Sequence, residues 1–428
     1  MPSRQHRVKD LRINETMENL MPDLNYSPGA FSCYPASSLA DYNIEQTALP
    51  SFTLDMSLYI VSTVISVKDS NVYFITIDKN SKGLYVDKNV RSRMDSSTSG
   101  LACLYSDGRQ WKVSSTSDMD GGDVRVLSCH LPRYMHDCFI TEYAESSMTI
   151  PLCVNVWLVR YKRATKKTIK REFRIIASLK GCVPAKRQHD QLAICAPPVT
   201  EEEWLILPEW LEYHLLVGFQ HFYLYTTNGR RDQLSSKLKN YISQGIVSVR
   251  SWMSQPWTRL ARNLQSLSAR NDCLYRSKDR AKWLAFADVD EYFYPVNSDD
   301  VREIVESYHN KTKHDVIKMK KGYFRRPADT KVGKRLLIES YRRADLHRYS
   351  GRESFVIKPS NVSLINMQSD DITPATVNGH VSVNATTIRV NHYRSDYSNG
   401  SQLDSGMKRF IPRVKIHIRR RSDQCRQQ

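Results

Sequence analysis

Asp288, Asp290 and Glu291 put three carboxylates within four consecutive positions, directly after the five mostly apolar residues 283–287. A buried carboxylate without partners carries a large desolvation penalty, so such a cluster calls for solvent, basic partners or a cation. Asp288 and Asp290 are two apart, and at an irregular strand end both reach one hard divalent ion. Mn²⁺ or Mg²⁺ needs only one or two protein carboxylates when diphosphate oxygens complete its shell, and it would neutralise a departing nucleotide diphosphate. A lone Asp-x-Asp is common. This one is set apart by its place at the end of a core strand, with Trp283 and Phe286 before it and Tyr292, Phe293 and Tyr294 after it.

The surrounding chain must hold that cluster, and from about Gln191 its pattern alternates strand and helix. Residues 192–196 form an apolar run ending at Pro197 and Pro198, which predicts a strand that stops there. Residues 201–218 begin with acidic residues and carry Leu207, Trp210, Leu211, His214, Leu215 and Gly218 on roughly one face, predicting a helix. A strand over 221–225, a helix over 231–245 closed by Gly245 and a strand over 246–251 follow. This is α/β grammar of the doubly wound kind, in which ligands bind beyond the carboxyl ends of the strands. Trp204, Trp210 and Trp283 are assigned to the core at this spacing, and Glu209, Glu212 and His214 to structural roles. Upstream, β-branched and aromatic runs at 58–67, 71–77, 124–131 and 154–161 predict a small β-rich domain over 51–185. Residues 1–50 read as a stem or linker. Residues 186–400 then form the α/β domain and 401–428 a basic tail.

The 63 Lys and Arg against 45 Asp and Glu give +18, a field that favours anionic partners. Much of the excess lies in 160–171 and 408–421, read as a solvated face and the tail. No zinc-finger, RRM or KH signature accompanies it, so nucleic acid is not an expected partner. No stretch reaches the roughly 18 to 20 apolar residues that span a bilayer, and the first 47 residues lack a signal peptide's apolar region. As written the chain reads as soluble. Two features point to a secretory compartment instead. The nine cysteines include no CxxC pair, which disfavours zinc and allows disulfides. Cys103 and Cys129 either bridge or stay as buried thiols, and Cys195 and Cys273 either pair or pack. Six Asn-x-Ser/Thr sequons occur, at Asn14, Asn25, Asn310, Asn361, Asn384 and Asn399, although a Pro follows the Ser of the second.

The segments 207–214 (LPEWLEYH), 219–225 (FQHFYLY), 270–276 (RNDCLYR), 282–295 and 391–394 (NHYR) resemble, in that order, glycosyltransferase family 92, over roughly 190–400. The resemblance implies a GT-A type, Rossmann-like catalytic domain behind the small all-β domain. It also implies an inverting mechanism, a UDP-sugar donor that is most often UDP-galactose, a glycan acceptor and Mn²⁺ on the Asp-x-Asp. Members are typically Golgi membrane proteins facing the lumen, held by an N-terminal anchor that this chain does not show. On this reading Asp290 ligates the metal, Asp288 contacts metal or donor ribose, Glu291 orients either, and His392 offers an imidazole to the same ion. Arg352 and Lys358, in 351–359, are candidates to clamp phosphate oxygens. The inverting step needs a carboxylate to take the acceptor hydroxyl's proton, and Glu339, Asp345 and Glu353 are the candidates, with Glu339 preferred.

Two departures bear on donor choice. Thr226 and Thr227 precede Asn228 where the family is expected to show an Asp, leaving Asn228 as the donor contact there, and Asn366 stands where many members have a His. These departures keep a rival reading open, a catalytically inactive relative that serves as a glycan-binding module.

Overall fold

The computed structural model describes residues 58–67, 69–78, 99–106, 111–121, 124–133, 135–137, 139–140, 152–162, 173–183, 190–226, 230–252, 262–325, 335–340, 343–345, 353–368, 371–376, 378–394 and 402–427. They divide into two units, Met1–Arg187 and Gln188–Gln428.

In the first unit, segments such as LYIVSTVIS and NVYFITID have the β-branched content that suits a pleated, half-buried surface. The strands are β1 (Leu58–Ser66), β2 (Asn71–Asp78), β3 (Ser99–Ser106), β4 (Trp111–Gly121), β5 (Val124–His130), β6 (Leu152–Lys162) and β7 (Phe173–Val183). They form one antiparallel sheet in the order β1-β2-β5-β4-β3-β6-β7. β4, with the sequence WKVSSTSDMDG, is too polar to announce itself as a strand. It pairs with β3 as far as Ser115 and with β5 from Thr116 onward. That hand-over brings Cys103 and Cys129 to a Cα separation of 6.2 Å, where they are disulfide-bonded.

The second unit contains β8 (Asp190–Val199), α1 (Leu207–Leu216), β9 (His221–Thr226), α2 (Arg231–Lys237), α3 (Lys239–Ser243), β10 (Val247–Ser251), α4 (Arg262–Ser277), β11 (Ala281–Phe286) and β12 (Glu291–Pro295). It continues with α5 (Val301–Thr312), β13 (Val316–Arg325), α6 (Leu337–Ser340), β14 (Arg343–Asp345), β15 (Glu353–Ile357), β16 (Val362–Gln368) and β17 (Asp371–Thr376). β18 (His380–Val383), β19 (Ile388–Arg394), β20 (Gln402–Leu403) and α7 (Ile411–Gln427) complete it. The main sheet runs β10-β9-β8-β11-β15-β13-β14-β20, with β18 and β19 on β13 and β12 on β19. β8, β9, β10 and β11 are mutually parallel. The chain moves outward from β8 to β10 and returns on the other side of β8 as β11, so the order reverses between β8 and β11, where such sheets open a crevice.

Four expectations need correction. β8 does not stop at Pro197; its register shifts between Cys195 and Pro198 and pairing with β9 resumes at Pro198, because a bulge spares proline the ladder bond it cannot donate. The helix expected over 201–218 is two pieces, a 3₁₀ turn at Glu202–Leu205 and then α1. Pro208 sits in α1's first turn, where its missing N–H costs nothing. Leu238 likewise separates α2 from α3. The 401–428 stretch is no tail: α7 packs Val414 into the core and sets Arg421 Nε 2.6 Å from the buried Glu212 carboxylate. Gly218 closes α1 at φ +101°, and a Cβ there would meet Asp300 Oδ1 at 2.5 Å, so the turn requires glycine. No described helix is long and apolar enough to cross a membrane.

Candidate active site

α1 is the mount for the strand that follows the acidic cluster. Trp210 Nε1 donates to the Glu291 carbonyl at 2.9 Å and the Tyr213 hydroxyl donates to the Phe293 carbonyl at 2.8 Å. The Phe293 N–H donates to His214 Nε2 at 3.3 Å. His214 stays neutral to serve as that acceptor, since complete burial lowers its pKa to about 3. Thus the LPEWLEYH segment fixes the backbone of β12 at Glu291 and Phe293. Trp210 and Trp283 are fully buried, as core spacing predicts.

Register then carries the placement across four strands. Glu291 of β12 is opposite His392 of β19, His392 is opposite Tyr323 of β13, and Tyr323 is opposite Asp345 of β14. The Asp290 carbonyl accepts from the Tyr393 N–H at 2.9 Å, which joins the acidic turn to β19. On the face of this row His392 Nε2 lies 3.4 Å from Asp290 Oδ2 and His392 Nδ1 lies 3.4 Å from Glu291 Oε1. The Tyr323 ring stands 5.3 Å from the imidazole, tilted by 36°. Tyr292, one residue along, turns to the opposite face and packs against Tyr213 and His214 of α1.

Two cations that the sequence did not single out complete the cluster. Lys321 Nζ is 2.5 Å from Glu291 Oε1, and Arg270 Nη2 donates to Asp288 Oδ1 at 3.1 Å while its guanidinium stands over the Phe286 ring. Arg270 lies in a segment of recognised pattern, but Lys321 reads in VIKMKKGYFR as an ordinary strand lysine. Burial opposes ionisation of Glu291, yet Lys321 and His392 overcome it and hold its pKa at about 2. Asp288 is shifted the other way, raised by the enclosing recess and by the Glu291 carboxylate against the pull of Arg270. Burial lowers the His392 pKa, but the bond to Asp290 and the charge of Glu291 more than reverse this.

Asp290 and His392 therefore come together with Glu291 behind them, while the neighbouring Asp288 carboxylate goes to Arg270. Among the described residues no three His, Cys, Asp or Glu side chains form a ready-made metal cage. Asp290 and His392 could offer one oxygen and one nitrogen to a divalent cation, with ligand oxygens left to fill the remaining positions. The same two carboxylates, Asp290 and Glu291, raise the pKa of the imidazole between them.

The other candidates are dispersed. Lys358 follows β15, which runs antiparallel to β11, and so sits at the far end of the sheet from Asp288, its N–H bonded to the Asp315 carbonyl at 2.9 Å. Glu353 lies at the near end, but its carboxylate meets Lys318 Nζ at 3.5 Å and accepts from the Ser382 hydroxyl. Glu339 is paired with Lys415 of α7 at 2.8 Å, in a segment whose Leu337 and Ile338 N–H groups donate to Glu209 of α1. Asp345 is described in its backbone, in the same row as His392. Arg352 and Asn228 lie outside the described residues. Cys195 and Cys273 are paired, tying β8 to α4, the helix that supplies Arg270. Thr226 is buried and its carbonyl accepts from the Trp252 N–H at 2.8 Å.

Fold and site define a mixed α/β protein with a carboxylate and imidazole centre at the carboxyl ends of its parallel strands. The chain belongs to glycosyltransferase family 92, which it matches over residues 190–426. A glycosyltransferase family 92 protein of Ricinus communis is 24% identical over 53% of this chain and 37% of its own length. Another from Oryza sativa subsp. japonica is 20% identical over 47% of this chain and 33% of its own length. Galactan beta-1,4-galactosyltransferase GALS2 of Arabidopsis thaliana is 31% identical over 23% of this chain and 19% of its own length. The chain thus spans well under half the length of the curated relatives it matches. Among solved structures, UDP-glucose pyrophosphorylase complexed with UDP-glucose aligns at a TM-score of 0.24 and 9% identity over 54% of this chain and 99% of that one, too slight a likeness to bear on fold or ligand.

Proposed function

We propose that this chain is an inverting glycosyltransferase of GT-A type that moves a sugar, galactose being the first candidate, from a UDP-sugar to a glycan acceptor. The observation that carries the reading is the row Glu291, His392, Tyr323, Asp345 across four adjacent strands, beside the Asp288 and Asp290 turn. Asp290 and His392 would hold Mn²⁺ or Mg²⁺, with Mn²⁺ favoured because an imidazole joins the carboxylate. The bound ion would neutralise charge on the diphosphate as the sugar leaves. Glu291, fixed by Lys321, faces the second imidazole nitrogen and sets which nitrogen points outward. Arg270 holds Asp288 towards the donor.

The base follows from the same row. Glu291 is already ionised, buried and paired, so it is a poor proton acceptor. Neighbouring strands lie about 4.8 Å apart, so the Asp345 backbone is roughly 10 Å from that of His392, with Tyr323 between them. We therefore move the general-base assignment from Glu339 to Asp345. The first unit would serve as an accessory β domain and touch acceptor glycan. A Golgi lumenal location is compatible with family membership, and any membrane attachment would come through an N-terminal anchor.

The test is UDP release from a panel of UDP-sugars with Mn²⁺, with and without chelator, for wild type and Asp290→Ala. Metal-dependent turnover of one donor, lost in the variant, supports the enzyme and names the sugar. No turnover, with no Mn²⁺-dependent donor binding by calorimetry, would overturn it in favour of a glycan-binding relative.

A further inference from the structure

Three of the six sequons fall on described residues, and their surroundings differ in the one respect that matters for modification, the state of the carboxamide. Asn361 is committed at both ends: its Nδ2 donates to the buried Asp315 carboxylate at 2.9 Å and its Oδ1 accepts from the Ser360 hydroxyl at 3.0 Å. Asn310 is exposed in the last turn of α5, but the Thr312 hydroxyl of its sequon donates back to the Tyr308 carbonyl at 2.8 Å. Asn384 is exposed in the turn between β18 and β19. Its Oδ1 accepts from both the N–H and the hydroxyl of Thr386, each at 3.0 Å, and no bond engages its Nδ2 among the described residues. The Asn384 carbonyl accepts from the N–H groups of Thr387 and Ile388, at 2.9 and 3.2 Å, so the turn is a fixed outward loop.

We propose that Asn384 is an acceptor for an N-linked glycan and that Asn361 is not. The inference rests on the lumenal location proposed above, because the co-reactant is a lipid-linked diphospho-oligosaccharide on the lumenal side of a membrane. In the transfer a bond forms between Asn384 Nδ2 and the oligosaccharide C1. The bond from C1 to the lipid diphosphate breaks, the diphosphate leaves with its electron pair, and Nδ2 gives up one proton. The Thr386 hydroxyl, already on the Asn384 carboxamide, is the group by which a sequon is read. The glycan would not obstruct the site. His392 is four residues beyond Ile388 along β19, roughly 13 Å at the rise of an extended strand, so the turn and the imidazole lie at opposite ends.

The experiment is secretion of the full chain behind a cleavable signal from a eukaryotic host, followed by peptide N-glycosidase treatment in ¹⁸O water and mass spectrometry of the peptide containing residue 384. The expected result is conversion of Asn384 to ¹⁸O-labelled Asp at high occupancy, loss of one glycan's mass in Asn384→Gln and in Thr386→Ala, and no loss in Asn361→Gln. Thr386→Ala keeps the Asn and the turn's backbone bond, so loss of its glycan with undiminished secretion excludes misfolding as the cause. A secreted chain with bare Asn384, or with glycan on Asn361, overturns the assignment. Because the added signal delivers the chain, a glycan on the secreted form but none on the chain from its source cells supports the acceptor site and overturns the lumenal location instead.

Discussion

Glu291 and His392 oppose each other across the antiparallel pair β12 and β19, with Oε1 of one 3.4 Å from Nδ1 of the other. The same Glu291 oxygen meets Lys321 from β13, and its backbone carbonyl takes the Trp210 N–H from α1. One residue therefore ties three strands and a helix to the orientation of a single imidazole. A carboxylate placed there fixes which ring nitrogen carries the proton and raises the basicity of the other.

Lys321→Met tests that arrangement as a matter of stability. Both partners are largely buried, with side chains 18% and 2% exposed. Breaking such a pair leaves an uncompensated charge and costs about 3–5 kcal/mol. Urea denaturation should show that loss, and Lys321→Met with Glu291→Gln should recover most of it because no charge is stranded. A single variant as stable as wild type would rule out the pairing.

His392→Asn addresses the metal. Removing the imidazole while keeping Asp290 should weaken Mn²⁺ binding by at least the roughly 10–100-fold that losing a ligand's supporting partner costs. Mg²⁺, which prefers oxygen ligands, should be affected less. Titration calorimetry with each ion in the presence of UDP reads the difference. Equal loss for both ions, or loss for neither, would remove His392 from the ligand set.

Asp345→Asn should lower kcat by about 10²–10⁴-fold with little change in the KM for donor, because a general base acts in the chemical step. Glu339→Gln and Glu353→Gln should each stay within a few-fold of wild type, since those carboxylates are occupied by Lys415 and by Lys318 with Ser382. Steady-state kinetics on the donor identified by the panel would decide, and a large effect confined to Glu339 would return the assignment to that residue.

How far the sequence could reach depended on whether a signal was local. The strand before Asp288 and the helix at LPEWLEYH were legible because apolar spacing is set within a few residues. β8's passage through Pro197 was not, since a bulge depends on the partner strand. The basic run ending at Arg421 looked like a solvated tail because nothing nearby in sequence announces Glu212, 209 positions earlier. The pairing of Asp290 with His392 was suggested by family pattern alone, and no periodicity predicts that Lys321 would close on Glu291. Strand register, on which the proposal of Asp345 over Glu339 and Glu353 rests, is concealed by the intervening chain.

Glu209 and His214, both on α1, make opposite contributions to stability across one pH range. Burial raises the Glu209 carboxyl from 4.5 to about 7 despite the Leu337 and Ile338 N–H groups that favour its ionised form. Its folded pKa lies above its unfolded one, so the stability it contributes is present in full below about 4.5 and is lost as pH rises towards 7. His214 is depressed from 6.5 to about 3, so its contribution is present above 6.5 and is lost as pH falls. Between pH 4.5 and 6.5 the two slopes, each up to about 1.4 kcal/mol per pH unit, oppose one another. Glu209→Gln keeps a neutral side chain and removes only the first slope. Denaturant midpoints taken from pH 4.5 to 7 should show the stability of the variant, relative to wild type, climbing as pH rises through that window. A constant difference between the two proteins across the window would mean that Glu209 is ionised at its ordinary pKa in the fold.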